Sequence, residues 1–120
     1  MPDIELKQRI IQELVPGKQI TLAHIIASPD RMLYESLGIS DAPKDSKAAI
    51  GIMTITPAET AIIIADIAIK SSGVRIISID KNNGSLIVTG SFSEVEASIN
   101  AILTYLGEKL NFSTCELTKT

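Results

Sequence analysis

Tryptophan is absent from this 120-residue chain, and aromatic residues make up only 3% of it. Platforms on which bases or sugars stack are therefore not expected. The basic surplus that nucleic acid requires is missing too, because 11 Lys and Arg stand against 14 Asp and Glu for a formal charge of -3. A single cysteine, Cys115, excludes an internal disulfide, and a single histidine, His24, leaves no His/Cys cluster for zinc. No metal and no cofactor are expected. The opening MPDIELKQRI has neither the apolar core of a signal peptide nor a membrane span, so a cytoplasmic protein without a membrane partner is expected.

What remains is apolar and patterned. Hydrophobic residues make up 45% of the chain and charged residues 21%, the balance of one compact domain large enough to bury a core. In GIMTITPAET, Thr56 is placed to cap a helix, Pro57 suits its first position, and Glu59 completes a capping box. In GSFSEVEA the same grammar recurs at Ser93 and Glu96, followed by Val95, Ile99, Ile102, Leu103, Leu106 and Leu110 at helical spacing. Between the two helices, VRIISI and SLIVTG flank DKNNG, and Asn-Gly between strand-like runs predicts a hairpin. From Ala48 onward the order is strand, helix, hairpin, helix. That is an α+β, ferredoxin-like pattern with an antiparallel sheet, short of its final strand. KQITLAHIIA supplies a strand at the front of the chain instead, and SPDR after it predicts a short helix capped by Ser28 and running to Leu37 and Gly38. A circular permutation would produce this order.

Two segments carry further signals. The helix expected over Pro57 to Ser72 leaves only a narrow polar line through Glu59, Asp66 and Lys70, more apolar circumference than one sheet face needs. Its stripe of Ala58, Ala61, Ala65 and Ala68 is expected to admit the backbone of a partner subunit. At the start of the chain, Ile4, Leu6, Ile10 and Leu14 share one parity and fit a strand, whereas Ile10, Ile11, Leu14 and Val15 fit a helix face equally well. Pro16-Gly17 ends either element.

VPGKQITLAH, AIGIMTITPAET, IDKNNGSLIVTG and NFSTCELTKT together resemble the circularly permuted bacterial microcompartment (BMC) shell proteins of the EutS and PduU type. The resemblance runs from about Arg9 to Thr120. It implies a permuted BMC domain over residues 16–120 preceded by a tail over residues 1–15. It further implies a homohexamer that tiles with other shell proteins into a coat around enzymes, and no catalysis of its own. In such proteins the tail is a strand, and six strands close into a parallel β-barrel over the axis, which removes every edge; Ile4, Leu6, Ile10 and Leu14 would form one face of it. The hairpin loop of Asp80, Lys81, Asn82, Asn83 and Gly84 would approach the axis. Lys81 and Asn82 stand where the type carries an arginine and then an aromatic, and a solvated turn lysine is the favoured reading of Lys81. Lys70 would occupy the hexamer edge, its other reading being an ordinary lysine that complements a helix C-terminus. The Asp41–Ala48 connection is longer than in close relatives, and Ala48-Ala49, in place of a glycine, favours a flat hexamer.

His24 lies on the strand face of Leu22 and Ile26 with no nucleophile motif nearby, and is expected to hydrogen-bond within the sheet or across a subunit junction. Cys115, between Phe112 and Leu117, is expected to be a packing thiol. The main rival to the shell reading is a small-molecule-sensing ferredoxin-like oligomer, and the third possibility is an enzyme using His24 or Cys115.

Overall fold

A computed structural model describes residues 17–39 and 48–120. The expected barrel strand with Ile4, Leu6, Ile10 and Leu14, and most of the Asp41–Ala48 connection, lie outside the described residues. In chain order the elements are β1 (Gln19–Ile26), α1 (Arg31–Ser36), β2 (Ala49–Thr56), α2 (Thr60–Ser71), β3 (Arg75–Asp80), β4 (Ser85–Gly90), α3 (Phe92–Lys109) and β5 (Thr118–Lys119). They form a mixed α+β fold around one sheet of order β3-β4-β2-β1-β5.

The sheet explains why an early strand could complete a later pattern. β2 pairs antiparallel with β4 on one side and with β1 on the other, and β3 closes the hairpin outside β4. β1 thus takes the place where the ferredoxin-like order lacks a strand. β5 departs from the expected antiparallel sheet: it lies parallel to β1, with His24 opposite Thr118 and Ile25 opposite Lys119. Nothing in its two residues marks it as a strand, because its pairing is set by a partner more than 90 positions away.

Alternation sorts the strands into two faces. Ala49, Met53 and Ile55 of β2, Leu86 and Val88 of β4, and Ala23 and Ile25 of β1 are buried under α2 and α3. A register shift between Ile20 and Leu22 puts Ile20 on the same side as Ala23, three positions on. From α3, Val95, Ile99, Ile102 and Leu106 enter this core at 0–1% exposure. Each such side chain contributes roughly 1.5–3 kcal/mol relative to an exposed one. The opposite face carries a smaller core of Tyr34, Ile39, Ala48 and Ile50, joined by Ile26, Ile52, Ile77 and Ile87.

Three expected helix starts move, each for a reason in the surrounding structure. Thr56 remains in β2 opposite Gln19, so it cannot cap. The chain leaves the strand through a turn in which Thr60 N–H donates to Pro57 O, α2 begins at Thr60, and Glu59 makes no side-chain cap bond. For α3 the capping box is Ser91 with Glu94, not Ser93 with Glu96: Ser91 Oγ accepts from Glu94 N–H at 3.1 Å, and Glu94 Oε1 accepts from Ser91 N–H at 2.9 Å. Gly90 is the last residue paired with β2, which makes Ser91 the first free of the sheet. α1 is capped by Asp30, whose Oδ1 accepts from Met32 N–H at 2.9 Å, in place of Ser28.

The alanine stripe is also corrected. Ala61, Ala65 and Ala68 are 0–3% exposed inside this chain, where small side chains let α2 pack closely on its own sheet and on α3. What α2 leaves uncovered is larger: Ile62, Ile63 and Ile69 are 46–55% exposed.

Replacing Ile99 by Ala should cost about 2–5 kcal/mol, and Ser91 by Ala about 1 kcal/mol. Urea unfolding checks both as a lower midpoint with an unchanged slope.

Candidate functional site

The hairpin tip is closed by side-chain and backbone hydrogen bonds. Asp80 ends β3, and its carboxylate collects the donors of the turn: Oδ1 accepts from the backbone N–H of Asn82 and of Asn83 at 3.0 Å each, and Oδ2 accepts from Asn83 Nδ2 at 2.8 Å. The Asn83 side chain first, then the two backbone donors, hold the Asp80 carboxyl below its ordinary value. Gly84 closes the turn with φ +80° and donates to Asp80 O at 2.8 Å, while its own carbonyl accepts from Ile55 N–H at 2.8 Å. A side chain at Gly84 would collide with the Ile55 carbonyl oxygen, so only glycine fits. Lys81, Asn82 and Asn83 are left exposed.

Ile62 of α2 reaches this tip. Together with Ser78, Ile79, Asp80, Lys81 and Asn82 it lines an open depression of about 460 Å³. Ile62 and Ile79 are both exposed, so apolar and polar side chains share its lining. Lys70 lies eight residues further along α2, about 12 Å down the helix axis. It sits in the last turn, exposed, with Nζ 2.9 Å from Asp66 Oδ2 one turn back. The five hairpin residues therefore form one unit, and Lys70 stands apart from it.

His24 is half-buried on the face of Leu22 and Ile26, as strand parity predicts. Its Nδ1 is 2.6 Å from Thr118 Oγ1 and its Nε2 2.9 Å from Thr120 Oγ1. Thr118 Oγ1 donates its one proton to Ala23 O at 3.3 Å and so accepts from Nδ1–H, which leaves Nε2 to accept from the Thr120 hydroxyl. Sequence reasoning found the histidine but missed both threonines, which no local signal links to it. Cys115 packs against the main core, and burial pushes its thiol up, away from the nucleophilic thiolate. Among the described residues, no three His, Cys, Asp or Glu side chains converge to hold a metal ion, and no helix is long and apolar enough to cross a membrane.

Residues 49–116 match the BMC domain. The chain belongs to the BMC-domain family. It is 48% identical over 113 residues to the bacterial microcompartment shell protein EutS of Escherichia coli strain K12, covering 94% of this chain and 97% of that one. It is 48% identical over 112 residues to the shell protein PduU of Salmonella typhimurium strain LT2, covering 93% of each chain. It is 50% identical over 111 residues to the shell protein CutR of Streptococcus intermedius, covering 92% of this chain and 91% of that one. Among solved structures, a flat hexamer of CutR superposes with a TM-score of 0.79 at 47% identity, over 88% of this chain and 94% of that one. A screw assembly of CutR matches equally well, with a TM-score of 0.79. Within this BMC domain the shape of the hairpin tip is dictated by a carboxylate and a glycine.

Because the native state depresses the Asp80 carboxyl, its contribution to hairpin stability is complete above the ordinary value of 3.8 and is lost as pH falls through the lower native value. Carbon-detected NMR titration should place the Asp80 midpoint below 3.8. Asp80→Ala should shift that value out of the titration and raise amide exchange at Asn83; a midpoint at or above 3.8 would show that the turn does not hold the charged form.

Proposed function

We propose that this BMC domain is a structural subunit of a bacterial microcompartment shell, acting by assembly and not by catalysis. Similarity along the whole domain carries the reading: 48% identity over 94% of the chain to one shell protein, with a fold match to another solved as a flat hexamer. In this reading six copies close into a ring, rings tile side by side with one another and with other shell proteins, and the coat encloses enzymes in the cytoplasm. The fold supports such a role through its surface. Ile62, Ile63 and Ile69 of α2 and Ile79 of β3 are exposed, apolar side chains that a subunit contact would cover.

The finer parts of the proposal follow the same logic. β1, early in the chain, occupies the place of the strand that a ferredoxin-like order carries last, which supports a circular permutation. Residues 1–15 would form the strand of a six-stranded parallel barrel over the axis, with Ile4, Leu6, Ile10 and Leu14 on one face. The rigid hairpin tip of Asp80, Lys81, Asn82, Asn83 and Gly84 would stand near that axis as a solvated turn. Lys70, exposed at the end of α2, would meet neighbouring rings at the hexamer edge, its stem on apolar surface and its ammonium on backbone carbonyls. Ala48-Ala49 favours a flat ring.

Native mass spectrometry should return six times the chain mass, and negative-stain images of the full chain, but not of a copy lacking the residues before Val15, should show a central cap. Lys70→Ala should keep hexamers and reduce extended sheets, because one exposed ion pair within a helix adds little to folding. A monomer or dimer would overturn the shell reading, and loss of hexamers in Lys70→Ala would overturn the edge assignment.

A further inference from the structure

The role of His24 emerges from what surrounds β5. β1 is an eight-residue strand in which six positions, Ile20 to Ala23 with Ile25 and Ile26, are aliphatic or β-branched, and its outer edge is the kind that pairs with a strand offered to it. The segment from Ser113 to Thr120 covers it. Ile20 N–H donates to Ser113 O at 2.8 Å and Ser113 N–H to Lys18 O at 2.9 Å at one end. Thr120 N–H donates to Ile25 O at 2.9 Å and Ala27 N–H to Thr120 O at 2.8 Å at the other. Thr118 Oγ1 adds a bond to Ala23 O at 3.3 Å.

A strand of two residues does not hold an edge by its ladder alone, since the ordering entropy of each residue is comparable to the net gain of a backbone hydrogen bond. β5 is fastened by side chains on both of its faces. Thr118 and Thr120 point to one face and close on the two ring nitrogens of His24 at 2.6 and 2.9 Å. Lys119 points to the other, where Nζ lies 2.6 Å from Glu96 Oε2 of α3 and 5.2 Å from the centre of the Phe92 ring. The strand is pinned between sheet and helix. The opposite edge of the sheet, β3, carries a register break between Ile76 and Ser78, as β1 does between Ile20 and Leu22, but has no strand laid over it among the described residues.

We propose that β5 is an edge guard locked by His24 and Lys119, and that the surface it guards, the outer edge of β1, pairs with the same edge of a second copy of this chain when the guard is released. Two freed β1 edges are self-complementary about a two-fold axis, so release adds an isologous contact to whatever assembly the wild type forms. His24 acts here as a positioning residue. The inference does not rest on the shell reading.

The test is the full-length His24→Ala/Lys119→Ala double variant, compared with the wild type by amide hydrogen exchange and by native mass spectrometry over a concentration series. Exchange at Ala27 and Thr120 should quicken at least ten-fold while Ile99 and Ile102 in α3 stay protected. Doubled species should appear relative to the wild type's own mass and grow with concentration. Unchanged protection at Ala27 and Thr120 would overturn the lock, and lost protection with a wild-type mass distribution would overturn the guarded edge. Should α3 also lose protection, Thr118→Val/Thr120→Val deletes both hydroxyls, keeps strand propensity, and is read by the same two measurements with the same two overturning results.

Discussion

The central position of β2 decides where everything else in this domain can go. It pairs over Ala49 to Thr54 with β4 and over Ile50 to Thr56 with β1, so both neighbours take their register from it. Its helix-side residues form the floor of the main core, and Gly51 makes the fit close. A Cβ at Gly51 would lie 2.7 Å from Val95 Cγ1 and 3.0 Å from Val88 Cγ2, which means that α3 occupies space a side chain would need. At its far end Ile55 N–H binds the Gly84 carbonyl, so the strand that sets the core also fixes the hairpin tip. The loop of most functional interest is therefore placed by the rigid centre of the sheet.

The long elements were legible because their signals are local. The apolar spacing from Val95 to Leu106 found the buried face of α3, and Asn-Gly between two strand-like runs found the hairpin, whose Gly84 takes the positive φ that the turn requires. Helix starts were less legible because Ser91 and Ser93 each stand three residues before a glutamate, and only the end of β4 pairing at Gly90 chooses between them. Thr56-Pro57 reads as a cap and a first turn, yet pairing with Gln19 keeps Thr56 in the sheet. Composition showed that α2 has excess apolar surface but not which part is spare. Close packing on α3 draws the alanines inward and leaves isoleucines outside. The hairpin tip could be named from sequence; its neighbour Ile62 and the β5 contacts could not, because they depend on elements meeting across the fold.

Three residues capable of chemistry, His24, Cys115 and Asp80, are engaged in holding the fold. Both ring nitrogens of His24 are taken by threonines of its own chain, Cys115 is half-buried against the core, and the Asp80 carboxylate is spent on the donors of its turn. What the domain presents instead is surface shaped by position: aliphatic side chains at one side of α2 and β3, an exposed lysine at a helix end, and a glycine-closed loop beyond the sheet. Such features gain free energy only when another surface removes them from water or orients against them. A chain that commits His24, Cys115 and Asp80 to holding its own shape, and leaves some isoleucines outside its core, offers surface suited to contact. That balance fits the structural shell role, and the hairpin tip, whose turn is held by the Asp80 carboxylate beside an open depression, adds surface of the same kind.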